Sequence, residues 1–193
     1  MRKQLVAALL LTAVTSTALA ATVQYTNASV QLNGSVNSDY LGKLAVATPV
    51  TVLQKKGKTV KVKVEGWALS EYPGQIFSAP GVRIEYGSFD EEKAVKLNPA
   101  SGKQVVQGNE WVKASIEGWV DAAKLTGDIK GLWAQGKQRL GDACSTCHGA
   151  PTADHFTANQ WASQLPLRGG RAGHSRAGNN ALMFKYLQEH AKK

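Results

Sequence analysis

The sequence predicts an α+β protein, with a β half followed by a helical half, and three observations carry that prediction. The stretch TPVTVLQKKGKTVKVKVEGW, residues 48–67, places Val50 and Val52 before a Lys55-Lys56-Gly57-Lys58 turn and Val60, Val62 and Val64 after it. Alternation of this kind on both sides of a glycine-bearing turn is the pattern of a hairpin with one buried face. The phrase KTVKVKVEGW, Lys58–Trp67, returns as NEWVKASIEGW, Asn109–Trp119, each ending in Glu-Gly-Trp. After Leu125 the alternation stops, and Ile129, Leu132, Trp133 and Leu140 recur at helical spacing instead.

Taken in chain order, residues 1–20 read as an export address. They have a basic start at Arg2 and Lys3, an apolar run from Leu5 to Val14, and a small-residue end that suits cleavage after about Ala20. The apolar run is about half of what a bilayer span needs, so a cleaved signal is expected rather than an anchor, with no span in the mature chain. No cysteine follows the cleavage point, which argues against a lipoprotein. The expected location is the periplasm.

Residues 22–125 are expected to form the β domain. The lysines between the valines form its wet face, and its tryptophans are expected in its core. Between the two echoed phrases lie GVRIEYGSF and the turn-rich LNPASGKQ. One small sheet unit with an elaborated hairpin is therefore expected, rather than two in tandem.

Residues 127–193 are expected to be helical. A first helix leads into RLGDACSTCHG, and a short second one in TANQWASQL should end near Pro166. A last helix carries Leu182, Met183, Tyr186 and Leu187, with Asn179 or Asn180 as its cap and lysines after its C-terminal end.

The formal charge is +9, and about +7 without Arg2 and Lys3. Residues 22–126 hold twelve Lys/Arg against ten Asp/Glu, and residues 127–193 hold nine against four, so the excess sits on the helical half. Such an imbalance can steer an acidic partner. Nucleic acid is excluded as a partner by the export address and by the lack of any basic run interleaved with aromatics.

The chain has two cysteines, in Cys144-Ser145-Thr146-Cys147-His148. This is the C-x-x-C-H pattern of covalent haem attachment. Two thiols at that spacing meet the two vinyl groups of one porphyrin edge, and the adjacent histidine is held as the proximal iron ligand. A thioredoxin-like pair would need a preceding strand in a βαβ unit. A zinc site would need two further ligands, and a disulfide across so short a loop would be strained. One covalently attached haem c is thus expected on Cys144, Cys147 and His148. At about 65 residues a lone helical core is marginal, and the haem would supply an apolar plate for the helices to close around. For the opposite iron face the candidates are His155, His174 and Met183, or an open position. His155, seven residues beyond His148, is the first choice, and His190 is expected to be solvated.

Strand pairs closing on Gly-Trp resemble bacterial SH3-like barrels. GKQRLGDACSTCHG together with FKYLQEHA resembles class I c-type cytochromes, and that likeness implies helix-crossing roles for Gly136 and Tyr186. With the preceding β region, CHGAPTADHFTANQW resembles the C-terminal portion of the multihaem cytochromes of trimethylamine N-oxide respiration. There a β region and one terminal haem follow a membrane-anchored tetrahaem part, which is missing from this sequence. The resemblance implies an SH3-like barrel followed by a small all-α cytochrome domain.

By the same resemblance the protein would be an electron carrier, not an enzyme. It would pass single electrons to a periplasmic molybdenum-containing N-oxide or S-oxide reductase in anaerobic respiration, with a membrane-bound quinol-oxidising cytochrome as donor. Many single-haem relatives place a methionine about seven residues after the Gln-Trp helix, where this chain has Arg168. A haem-based ligand-binding or sensory module, with the β region as its interaction domain, is the alternative reading.

Overall fold

A computed structural model describes residues 22–36, 39–145, 149–169 and 180–193, with backbone alone for 166–169. Ten strands precede three helices: β1 Thr22–Thr26, β2 Val30–Asn33, β3 Tyr40–Leu44, β4 Pro49–Lys56, β5 Thr59–Leu69, β6 Gln75–Ala79, β7 Val82–Phe89, β8 Lys96–Val106, β9 Asn109–Asp121, β10 Leu125–Thr126, α1 Ile129–Cys144, α2 Ala158–Gly169 and α3 Ala181–Glu189. The class is α+β, as the sequence predicts. Neighbouring strands run in the order β10-β1-β4-β5-β6-β7-β3-β2-β9-β8, and an additional β5–β9 pairing closes that order on itself.

The two echoed phrases pair with each other. β5 and β9 lie antiparallel over eleven positions, from Thr59 opposite Asp121 to Leu69 opposite Trp111. Around this central pair the surroundings repeat. A hairpin delivers β4 to the start of β5 and another delivers β8 to the start of β9. At the Glu-Gly-Trp ends, Trp67 meets Phe77 of β6 and Trp119 meets Asn33 of β2. The repeated glycines allow this meeting. A Cβ on Gly66 would stand 2.4 Å from the Phe77 carbonyl oxygen, and one on Gly118 would stand 2.8 Å from that of Asn33. Each glycine is where a further backbone crosses too close for any side chain.

The valines of β4 and β5 point inward as their spacing predicts, joining Leu32, Leu44, Ile76 and Ile116 in the main core. On the outer face the lysines pair with acids, Lys61 with Glu117 at 2.8 Å and Lys63 with Glu65 at 2.8 Å. Trp67 and Trp111 are buried, while Trp119 is half-buried.

Two sequence expectations need correction. The turn-rich LNPASGKQ lies inside one edge strand, β8, whose register on β9 shifts between Asn98 and Lys103. Residues 99–102 bulge there, with the Ser101 amide donating to Asn98 Oδ1 at 3.2 Å. Only an edge strand has a free side where Pro99 can sit without breaking a ladder. The second correction is α2, which does not end near Pro166 but continues to Gly169. A proline there forfeits one hydrogen bond to the preceding turn, while its fixed φ remains compatible with helix.

The helices dock onto the turn after β3. Val46 and Ala47 form a small apolar cluster with Leu132 of α1 and Leu182 of α3, flanked by Tyr25, Ile129 and Trp133. Ala47 has a φ of 56°, which costs a residue with a Cβ some stability. Buried Thr26 holds it there: its carbonyl accepts from the Ala47 amide at 2.7 Å, and its hydroxyl accepts from the Thr48 amide at 2.9 Å. Among the described residues no helix is long and apolar enough to cross a membrane.

Replacing Gly66 or Gly118 by alanine forces a side chain against a crossing backbone. Each should destabilise the fold by about 1–3 kcal/mol in urea denaturation, whereas alanine at Gly57, whose Cβ would meet nothing, should cost less through its left-handed φ alone.

Candidate haem-attachment site

The helix that carries the first cysteine is well specified at its start. Asp128 caps α1, its Oδ1 accepting from the Gly131 amide at 2.8 Å, while the Asp128 amide donates to Thr126 Oγ1 at 3.0 Å. Leu132, Gly136 and Leu140, each four residues from the next, make the buried ridge of α1. α3 crosses that ridge at Gly136, where a Cβ would stand 2.7 Å from Tyr186 Cβ and 3.2 Å from the Leu182 carbonyl oxygen. The Gly136–Tyr186 crossing implied by the cytochrome resemblance is present.

α1 ends at Cys144, with the Ser145 amide donating to the Gly141 carbonyl at 3.0 Å. Cys144 is half-buried and forms no disulfide among the described residues, and burial pushes the pKa of its thiol up. It borders a cluster of Leu140, Ala153, Trp161, Leu165, Met183 and Leu187, with Ala150, Phe156 and Phe184 also at the margin. The segment after the motif returns over this cluster. Ala150 and Ala153 both touch it, and Trp161 Nε1 donates to the Ala153 carbonyl at 2.7 Å.

A thiol at a helix end, at the margin of an apolar cluster, fits thioether attachment, which needs sulfur at one edge of the porphyrin. Cys144 would supply the first anchor. Cys147 and His148, the second anchor and the proximal ligand, lie outside the described residues, as does His174.

The other iron-ligand candidates are placed differently. His155 is exposed on a 3-10 turn, Ala153–His155, with its ring edge-on to Phe156 at 4.6 Å. Met183 is 0% exposed and packs inside the cluster that Cys144 borders. His190 is exposed, as expected at a chain end, yet it is engaged. Its ring lies 5.3 Å from Trp133 of α1 and 4.4 Å from Tyr186 of α3, with Nδ1 2.9 Å from the Tyr186 carbonyl oxygen.

Sequence reasoning missed the residues that fix the site to the sheet. The first half of β7 lacks a neighbour on one edge, because β3 pairs only with Gly87–Phe89. Side chains from α2 and α3 occupy that edge. Asn159 accepts from the Arg83 amide through Oδ1 and donates to the Gly81 carbonyl through Nδ2, both at 2.7 Å. Gln188 donates to the Arg83 carbonyl at 2.7 Å, and Lys185 Nζ donates to the Glu85 carbonyl. Nothing in the sequence marks Asn159. Lys185 and Gln188, each only 3% exposed, interrupt the apolar face of α3, and that interruption is the one signal available.

Burial lowers the Lys185 pKa to about 8, an effect partly offset by the negative charges of Glu189 and Glu85. Its ammonium also lies 5.1 Å from the centroid of the Tyr86 ring.

Comparison with known proteins places the chain among c-type cytochromes. The family model described as the TorC third cytochrome c domain matches residues 15–125, a span that includes the strands up to the first residue of β10 and none of the helices. The cytochrome c-type protein TorC of Escherichia coli K12 is 30% identical over 152 residues, covering 78% of this chain and 39% of the relative. The cytochrome c-type protein TorY of Escherichia coli O157:H7 is 31% identical over 158 residues, covering 79% and 42%. That of Haemophilus influenzae is 28% identical over 137 residues, covering 70% and 37%. The chain thus spans about two fifths of the length of these curated relatives. No solved structure matches it.

The Lys185 shift predicts a pH dependence. Its folded value of about 8 lies below the ordinary 10.5, so the unfolded chain binds more protons between these values. The penalty for burying the ammonium is complete below about pH 8 and is relieved as pH rises toward 10.5. The stability of the wild type relative to Lys185→Met should therefore rise from pH 8 to pH 10, by on the order of 1 kcal/mol per pH unit in urea denaturation.

Proposed function

This chain belongs to the TorC third cytochrome c domain family, and on that premise we propose that it is a soluble periplasmic c-type cytochrome carrying one haem. In this reading residues 1–20 are removed on export, residues 22–125 are an SH3-like β domain, and residues 127–193 are a class I-like haem domain. Cys144 and Cys147 anchor the haem, His148 is its proximal ligand, and His155 is its distal ligand. Bound haem supplies a one-electron iron couple. The chain's own residues hold it in place and keep water from its faces, which tunes the potential.

The protein would take one electron from a membrane-bound quinol-oxidising cytochrome and pass one on. Its acceptor would be a molybdenum-containing reductase of N-oxides or S-oxides. The Lys/Arg excess of the helical half would steer the approach of partners. Binding should be weak and salt-sensitive, since a carrier must leave as readily as it arrives.

The observation that carries this reading is the place of Cys144. Its thiol ends the helix that crosses α3 through Gly136 and stands at the margin of an apolar cluster. Such a position suits thioether attachment of a porphyrin.

Mass spectrometry of the exported protein should find the polypeptide heavier by one haem. The double variant Cys144→Ala/Cys147→Ala should carry no covalent haem, and an unmodified wild-type mass would end the proposal. For the distal ligand, His155→Ala should abolish the six-coordinate optical spectrum while Met183→Leu preserves it. The opposite pattern would assign the ligand to Met183.

A further inference from the structure

The sheet neutralises lysines wherever they stand beside acids, as at Lys61–Glu117, Lys63–Glu65 and Lys103–Glu110. The β4–β5 turn is different. Lys55, Lys56 and Lys58 are all exposed, and none has an ion pair among the described residues. Three positive charges within four residues repel one another, an arrangement that becomes favourable when an anionic surface is brought to it.

Apolar side chains adjoin these charges. The register of β4 on β5 shifts between Val52 and Gln54, and the extra residue of this bulge is Leu53, 39% exposed. Val23 of β1, opposite Thr51 and so beside Leu53, is 53% exposed.

We propose that the Lys55–Lys58 turn, with Leu53 and Val23, docks the protein on an anionic phospholipid surface. Exposed lysines beside exposed aliphatic residues are the composition of a peripheral membrane contact, in which ammonium groups meet lipid phosphates and short apolar side chains enter the headgroup boundary. The turn contains none of the Arg, Tyr or Trp residues that dominate protein–protein hot spots. Lysine is a mobile point charge, suited to a diffuse field of phosphates rather than to a fixed carboxylate geometry. The surface would hold the carrier close to a membrane-embedded source of electrons, and it does not depend on how the haem is ligated.

Flotation of the purified exported chain with vesicles tests this. The wild type should bind vesicles of phosphatidylcholine containing roughly one third phosphatidylglycerol at low salt, bind phosphatidylcholine alone much less, and be released as salt rises. Lys55→Gln/Lys56→Gln/Lys58→Gln should weaken binding by on the order of tenfold or more. Leu53→Ser should weaken it further, and Lys103→Gln, at a lysine paired with Glu110, should leave it unchanged. Far-ultraviolet circular dichroism confirms that the variants are folded. Equal binding by the triple variant, or no preference for the anionic lipid, overturns the proposal. It is equally overturned if these lysines serve only an acidic protein partner while vesicles stay unbound.

Discussion

Backbone pairing between β5 and β9 is the constraint on which the rest of the molecule depends. Eleven consecutive positions of the two strands that hold the similar phrases face each other, and strands join both outer edges of that pair. At each Glu-Gly-Trp a glycine gives way to a crossing backbone, so that β6 joins β5 and β2 joins β9 in equivalent manner. A side chain at either glycine would press on the crossing strand and strain the pairings through which the sheet closes on itself. The valine core forms inside because these contacts fix which faces of the strands point inward.

The helices depend on the sheet through a second, more polar device. A strand edge without a partner strand carries amides and carbonyls that must be satisfied once covered. Asn159, Lys185 and Gln188 satisfy those of Gly81, Arg83 and Glu85, standing in for the strand that is missing there. Together with the apolar contact of Val46 and Ala47 with Leu132 and Leu182, these bonds fix α2 and α3 relative to β7. A helical tail of marginal size therefore draws support from the sheet as well as from its own cluster. Burying Lys185 has a cost, visible in its lowered pKa, which is set against bonds that specify one docking geometry.

The apolar cluster beside Cys144 is formed by all three helices and by the segment after the haem motif. Its geometry follows from the Gly136–Tyr186 crossing and from the Trp161–Ala153 hydrogen bond. The first contact sets how closely α1 and α3 approach, and the second returns the chain to the wall it has just left. The family match covers the sheet, whereas the haem motif belongs to the helices. The sheet–helix junction is thus what relates the recognised part of the chain to the part that would carry its redox chemistry.

By itself the sequence determined those features that rest on local chemistry. The period of the valines dictated paired strands with one buried face, and the change of period after Leu125 dictated helices. The spacing of Cys144, Cys147 and His148 dictated the haem expectation, because three covalent and coordinate bonds constrain neighbouring residues directly. Other features were settled only by tertiary structure, since they join residues that are distant in the chain. The mutual pairing of the two echoed phrases and the bulge that absorbs Pro99 within an edge strand depend on which neighbour occupies each backbone edge. So does the burial of Lys185 against a carbonyl one hundred residues away. A lysine in a helix reads as solvated until the fold brings an unpaired strand edge to meet it.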